Sequence, residues 1–311
     1  MSETKKVAVI GSLNIDYFTR VETLPSPGET VASSRLELFH GGKGANQAIS
    51  ACRQEAHVYL FGMLGSDEQG NIYRNELEAE GIDVTYLQEA GNQSGAAFIT
   101  VDHKGENMIV TAAGANARLS VEDIRKGTKA IESCGAILGQ FEVPHPPLVE
   151  AARIANRAEI PVVINPSPFS SVFPWQEIRT DFLIVNEIEA GEVLEFRPEE
   201  EENSMIRQRL HELRIETLIV TRGGDDTLVY SRTEEPFSVP TIPVLPIDTV
   251  GAGDAFAGCF AARLAFGDSL RDAIQAANCA GALTTLGPGA QSPIPDRAKV
   301  DQHVEYLSQE S

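Results

Sequence analysis

The segment Asp248-Thr249-Val250-Gly251-Ala252-Gly253-Asp254-Ala255-Phe256 carries the densest chemistry in the chain. It leaves an extended stretch from Ile242 to Ile247, passes two glycines and enters a run of small residues that reads as a helix. Glycines let neighbouring backbone N–H groups converge, and the first amides of a helix have no acceptor within it. Together they form an anion site suited to phosphate oxygens. Asp254 falls at that site, a poor place for a structural carboxylate and a good one for a general base. A plainer reading also fits: Asp254 caps the helix and the glycines only turn the chain. Two other phosphate motifs are missing. The Gly42-Lys43 pair is followed by Gly44 rather than the Ser or Thr of a Walker A loop. The third glycine of a dinucleotide fingerprint would fall on Phe256.

A second cluster is Gly41-Gly42-Lys43-Gly44-Ala45-Asn46-Gln47-Ala48. Its adjacent glycines at a strand-to-helix junction allow a hinge or a close ligand, and Lys43 and Asn46 project from the first helical turn. Asn14 and Asp16 follow the first strand, in the region outside a carboxyl end where α/β sheets bind ligands. At alternate positions of an extended chain they point the same way, which suits a polyhydroxylated ligand; turn chemistry at a strand end is the plainer alternative. A third cluster, Asn186-Glu187-Ile188-Glu189, puts a carboxamide and a carboxylate three residues apart. That pair could orient a hydrated Mg²⁺ or simply form a helix cap. Thr221-Arg222-Gly223-Gly224 follows another strand and could seat a nucleotide.

These residues need a scaffold, and short apolar runs supply one: Val7–Ile10, Val58–Phe61, Ala136–Leu138, Val162–Ile164, Phe182–Val185, Leu218–Val220 and Leu228–Tyr230. Several are apolar on both faces, as strands covered by helices on both sides must be. Helical patterns lie between them. Ala45, Ala48, Ile49 and Cys52 form one stripe, and Asn203 to Leu213 and Ala255 to Leu264 behave similarly. The alternation predicts an α/β fold with a parallel sheet between helices. Residues 14–40 and 95–111 break that rhythm with period-two alternation and a turn at Asp102-His103-Lys104-Gly105. They read either as edge strands of the main sheet or as a small sheet covering one end of it. The run Glu199 to Glu202 reads as the first turn of a helix, where carboxylates complement the helix dipole.

Composition excludes several function classes. The chain of 311 residues carries 25 Lys+Arg against 45 Asp+Glu, a net charge of −20, which argues against nucleic acid and anionic membrane surfaces as partners. No apolar stretch approaches the roughly 18 residues of a membrane span. The Val7–Ile10 run is too short for a signal-peptide core. Cys52, Cys134, Cys259 and Cys279 are widely spaced and read as reduced core residues rather than a zinc site or disulfide framework. The expectation is a soluble, cytoplasmic protein.

Taken jointly, the Gly-Gly-Lys-Gly-Ala-Asn and Asp-Thr-Val-Gly-Ala-Gly-Asp segments, in this order and spacing, closely resemble the ribokinase family of carbohydrate kinases, the PfkB superfamily. The likeness runs from Val7 to about residue 300. It implies a doubly wound, mostly parallel sheet flanked by helices, with a small antiparallel β-sheet lid. The whole chain, 1–311, would be one domain with lid segments at about 13–41 and 92–112. The resemblance also implies transfer of a phosphoryl group from ATP to the 5-hydroxyl of D-ribose, with Asp254 as base. Asn14, Asp16, Gly42, Lys43, Gly44, Asn46 and Glu142 would hold the sugar. ATP would lie against Asn186, Thr221, Gly223, Gly224 and Asn278, its phosphates at Gly251, Ala252 and Gly253. Glu189 would act on Mg²⁺ through water. A monovalent cation, K⁺, would use Asp248 and the region of Val250, Thr284, Gly287, Gly289 and Ser292, the last shifted by one position from the family pattern. Lid sheets in the family often pair, so a homodimer is expected, with Gly41-Gly42 as the hinge of a closing lid. Other acceptors on the same fold are fructose, 2-keto-3-deoxygluconate, a sugar phosphate or an adenosine-like nucleoside. A non-catalytic binding protein is the remaining alternative.

Overall fold

The computed structural model describes residues 5–33 and 35–310, with side chains through residue 305; the outermost residues of the expected 1–311 span lie outside it. The first half contains strands β1 (Lys6–Ile10), β2 (Asn14–Arg20), β3 (Leu36–Gly41), β4 (His57–Leu64), β5 (Leu87–Glu89), β6 (Gly95–Val101) and β7 (Asn107–Ala112). Between them run helices α1 (Lys43–Arg53) and α2 (Glu68–Ala79). The second half adds β8 (Ala136–Gln140), β9 (Val162–Asn165), β10 (Thr180–Asn186), β11 (Ile215–Arg222), β12 (Asp225–Ser231) and β13 (Phe237–Val239). Its helices are α3 (Val121–Lys126), α4 (Thr128–Ile131), α5 (His145–Arg157), α6 (Glu187–Leu194), α7 (Asn203–Glu212), α8 (Ala252–Phe266), α9 (Leu270–Thr284) and α10 (Arg297–Glu310).

Nine strands form one sheet in the order β13-β12-β11-β10-β9-β8-β1-β4-β5. It is parallel from β5 through β11, and β12 and β13 add an antiparallel edge. All seven apolar runs are strands of this sheet. The reason is visible in β1: Val7 and Val9 join the core under α1, α8 and α9, while Ala8 and Ile10 join the core under α5. Both faces of such a strand are dry, so every position must be apolar. Apart from Asp254 and Arg263, helix α8 consists of apolar residues and glycines and is buried along most of its length, as a helix in the middle of a layer must be. It packs closely on α1: a Cβ on Gly258 would stand 2.2 Å from the Gln47 carbonyl oxygen, and Ser50 Oγ donates to the Ala255 carbonyl at 2.7 Å.

The two segments that break the rhythm form a separate four-stranded sheet, β3-β2-β6-β7, and not edge strands of the main one. Its outer pairings are antiparallel, and the central one, β2 with β6, is parallel. Strand β3 runs straight into α1 through Gly42, whose φ of 91° favours glycine. A Cβ there would also stand 2.7 Å from the Asn14 amide nitrogen.

The glutamate run departs from expectation. Residues Pro198–Glu200 make a short 3-10 turn, Glu201 is extended, and Glu202 precedes α7, which begins at Asn203. Pro198 starts its own turn here, so the carboxylates end before the helix that they were expected to open. Three of the four free cysteines follow expectation: Cys134, Cys259 and Cys279 are buried, and burial pushes the Cys134 and Cys259 thiols up to about 12, whereas Cys52 is only half-buried at the edge of the core. Among the described residues, no helix is long and apolar enough to cross a membrane.

Candidate active site

The site lies where the lid, the N-terminus of α1 and the N-terminus of α8 meet. Gly251 takes a left-handed conformation, φ 78°, and caps α8, placing Asp254 in the first turn. Gly251 also touches the loop after α9, since a Cβ there would lie 2.7 Å from the Ala290 carbonyl oxygen. The amide of Ala252, expected to meet phosphate, bonds the Thr249 carbonyl at 3.3 Å instead. Those of Gly253 and Asp254 have no backbone acceptor among the described residues, which leaves them available to an anion.

Asp254 is 6% exposed and held on both oxygens. Asn46 Nδ2 donates to Oδ2 at 2.9 Å and Gln47 Nε2 donates to Oδ1 at 2.9 Å. The side chain is therefore turned toward α1 and the cluster around it, and is not an N-cap; Gly251 is. Asn46 is fixed in turn, because its Oδ1 accepts from Gln291 Nε2 at 2.8 Å. Gln291 also donates to the Tyr73 hydroxyl at 2.7 Å, and that hydroxyl donates to the Gly41 carbonyl at 2.8 Å. A continuous chain thus links the base of the lid to the carboxylate.

The other expected sugar residues converge on the same place. Asn14 is set by Asn116, whose Nδ2 donates to Asn14 Oδ1 at 2.8 Å while its Oδ1 accepts from the Leu13 amide at 3.0 Å. Asp16 lies against Gly41, where a Cβ would come within 2.2 Å of its Oδ2. Glu142 is anchored through Oε2, which accepts from Ser12 Oγ at 2.5 Å and the Lys43 amide at 3.2 Å. Burial, reinforced by the Glu142 charge, pushes the Asp16 carboxyl up to about 7. The Lys43 ammonium is held above its ordinary value chiefly by Asp254, against burial, with help from Glu142 and Glu189. Lys43 thus stays charged between the two halves of the site.

The Asp16 shift has a consequence for stability. With an ordinary value of 3.8 and a folded value of about 7, the folded protein keeps a proton that the unfolded chain sheds between those values. Stability from this group is full below 3.8, falls as pH rises toward 7 and is flat above. Asp16→Asn is therefore expected to raise Tm at pH 8, with a gain that shrinks toward pH 4. Melting curves at the two pH values check this, and an equal gain at both would contradict it.

On the far side of Asp254 opens a cleft of about 230 Å³ lined by Lys43, Asn186, Glu189, Thr221 and Gly253, among others. Asn186 and Glu189 form a reciprocal cap on α6: Asn186 Oδ1 accepts from the Glu189 amide at 2.9 Å, and the Asn186 amide donates to Glu189 Oε2 at 3.0 Å. The cap reading and the cleft position hold together. Gly223, with φ 59°, and Gly224 turn the chain between β11 and β12. Asn278 is not among the residues lining the cleft. It is 6% exposed, accepts from Thr227 Oγ1 at 2.6 Å and donates to the Val239 and Pro240 carbonyls, each at 3.1 Å. Its carboxamide is committed to joining α9 to β12 and the end of β13.

The expected cation residues sit beside Gly251. Asp248 Oδ1 accepts from the Val250 amide at 3.0 Å and Oδ2 from the Gly289 amide at 2.9 Å, tying the two loops together. Thr284 is buried with its hydroxyl on the Ala280 carbonyl, and Ser292 Oγ donates to the Pro288 carbonyl at 3.0 Å. Among the described residues no three His, Cys, Asp or Glu side chains cluster as a metal site. Both Asp248 oxygens and the Thr284 and Ser292 hydroxyls are thus bonded within these loops.

Ser12, Gln47, Asn116 and Gln291 were not singled out by sequence, though two of them flank residues that were. Their partners lie far along the chain, so only the fold brings them in.

Residues 4–297 match the family described as pfkB family carbohydrate kinase. The chain belongs to that family. It is 34% identical over 305 residues to the ribokinase of Haemophilus influenzae, covering 97% of this chain and 99% of that protein. A crystal structure of ribokinase from Thermotoga maritima superposes with a TM-score of 0.87 at 30% identity, covering 97% of this chain and 99% of the other. Arabidopsis thaliana ribokinase, solved with ribose and ATP, gives 0.88 at 27% identity, with the same coverage. As a pfkB kinase, the chain has the mostly parallel sheet between helices and the small separate sheet that the sequence implied.

Proposed function

We propose that this kinase transfers the γ-phosphoryl group of ATP to the 5-hydroxyl of D-ribose, giving D-ribose 5-phosphate and ADP, and that residues 1–311 form one catalytic domain with two lid segments. The observation that carries the reading is Asp254: a buried carboxylate bonded on both oxygens, with the Asp16–Glu142 cluster on one side and the cleft on the other. The ribose and ATP bound to a relative of the same fold supply the identity of the ligands.

In this reading Asn14, Asp16 and Glu142 fix the sugar so that one hydroxyl meets Asp254. Asp254 takes the hydroxyl proton as the oxygen attacks phosphorus in line. The charged Lys43 and the Gly253 and Asp254 amides offset the charge spreading over the phosphoryl oxygens. Asn186, Thr221, Gly223 and Gly224 line the path for the nucleotide. Mg²⁺ would be held near Glu189 through water and would supply further charge neutralisation at the phosphates. K⁺ would sit among Asp248 and the carbonyls near Val250, Thr284, Gly287 and Gly289, bracing the anion site. Closure about Gly41-Gly42 excludes water as a competing acceptor. The experiment is ATP consumption with D-ribose, 2-deoxy-D-ribose, fructose, 2-keto-3-deoxygluconate and adenosine, each with and without K⁺. Ribose is expected to give the highest kcat/KM. Preference for another acceptor would move the assignment, and silence with all of them would favour a binding protein.

We further propose a cytoplasmic location and a homodimer formed through the lid. Leu38, Tyr17, Phe98 and Val110 are direct cross-strand neighbours and make one apolar row across all four strands. Leu38, Phe98 and Val110 are 42%, 50% and 59% exposed. The row lies on the face opposite Asp16, which places Phe98 away from any base stacked over the sugar side. A second copy covering this row removes apolar surface from water. Phe98→Glu is expected to turn a dimer into a monomer in sedimentation; a monomeric unmodified chain would exclude the arrangement.

A further inference from the structure

Gln47 and Gln140 are both fully buried beside the carboxylate that the reading above makes the base. Gln47 Nε2 donates to Asp254 Oδ1 at 2.9 Å and to Asn165 Oδ1 at 3.1 Å. Its own Oε1 accepts from Gln140 Nε2 at 2.5 Å. Every polar atom of the Gln47 side chain is thereby used. Gln140 Oε1 is buried with no partner, a condition native interiors rarely tolerate.

The directions of these bonds follow from one fact. An ionised carboxylate only accepts, so Gln47 must turn its amide nitrogen to Asp254. Its oxygen then faces Gln140, which must present a nitrogen in turn. The chain Gln140 to Gln47 to Asp254 runs one way and ends in an orphan acceptor because Asp254 carries charge at its head. Close packing of α1 on α8, permitted by Gly258, brings the short Asp254 within reach of Gln47.

From this arrangement we infer that Gln47 is a positioning residue for phosphoryl transfer, held in its donor orientation by Gln140, and that it aims Asp254 at the acceptor hydroxyl. The inference rests on Asp254 acting as the base. It differs from the role of Asn46, which binds the other oxygen and is steered from the lid side by Gln291.

The test uses the full chain with Gln47→Ala, Gln140→Leu and Asp254→Asn. It reads kcat, both KM values, Tm and the pH profile of kcat at saturating ATP and D-ribose. Gln47→Ala is expected to lower kcat by about 10- to 100-fold with KM values changed by less than about 3-fold. The acid limb should move up by about one pH unit, because a donor to the charged form is gone. Gln140→Leu should shift both in the same direction by a smaller amount. Lys43 and Tyr73, the ionisable groups that interact with this carboxylate, and Asp16, Glu142 and Glu189, which interact with those two, are unchanged in both variants, so a moved limb reports the lost donor. An unmoved limb in folded Gln47→Ala, with kcat either normal or reduced only with the folded fraction, overturns the inference. If Gln47→Ala does not fold, the limb in Gln140→Leu decides. Near-normal turnover in Asp254→Asn would instead end the base assignment. An inactive Asp254→Asn beside unmoved glutamine variants would end only the positioning role.

Discussion

Asp254→Asn is expected to lose at least about 10²-fold in kcat, and as much as about 10⁴-fold, while binding sugar and ATP nearly as before. The carboxamide keeps the size and shape of the side chain but cannot take a proton from an alcohol at neutral pH. It also changes the polar balance around it. Asn46 and Gln47 both donate to Asp254, and an Asn at this position offers one oxygen where two are needed. Neither donor turns over freely, because the Asn46 oxygen accepts from Gln291 and the Gln47 oxygen from Gln140. A buried donor left facing a donor costs about 1–3 kcal/mol, so Tm should fall as well. Single-turnover kinetics with calorimetric binding of each substrate separates the two effects. Turnover close to that of the unmodified enzyme would remove the mechanism.

Asp16→Ala should act on the other constant. The carboxyl stands against Gly41, in a space that no side chain on residue 41 could share, and burial together with the Glu142 charge pushes it up to about 7. At pH 8, where this carboxyl is mostly ionised, hydrogen bonds from sugar hydroxyls to it are worth roughly 1.5–3 kcal/mol each and form in the ground state as well as the transition state. Their loss should raise KM for the sugar by roughly 10- to 100-fold per bond, with a much smaller change in kcat. KM for ATP should stay put, since Asp16 is not among the residues lining the cleft. A fall in kcat at unchanged sugar KM would show that Asp16 is not the anchor.

Much of this was legible in the chain. The seven apolar runs became strands because a strand buried on both faces leaves no room for polar residues, and the pattern survives without knowledge of its neighbours. Strands β5 and β13 escaped notice because three residues carry no periodicity. The lid was ambiguous from pattern alone, since alternation describes an edge strand and a separate sheet equally well. The parallel pairing of β2 with β6 joins segments about 80 residues apart, and no local signal encodes it. The placement of Glu199 to Glu202 failed because acidic residues favour a helix start without fixing which residue begins it.

The sequence by itself determined the α/β class, the two glycine-rich turns and the presence of one carboxylate at a helix start, because backbone freedom and burial are local demands. Tertiary structure alone decided what that carboxylate faces. Gln47 stands 207 positions from Asp254, Gln140 another 93 from Gln47, and Gln291 245 from Asn46. Hydrogen bonds act over about 3 Å whatever the separation along the chain. Only the packing of α1 on α8 and the return of the loop after α9 bring these amides within that distance.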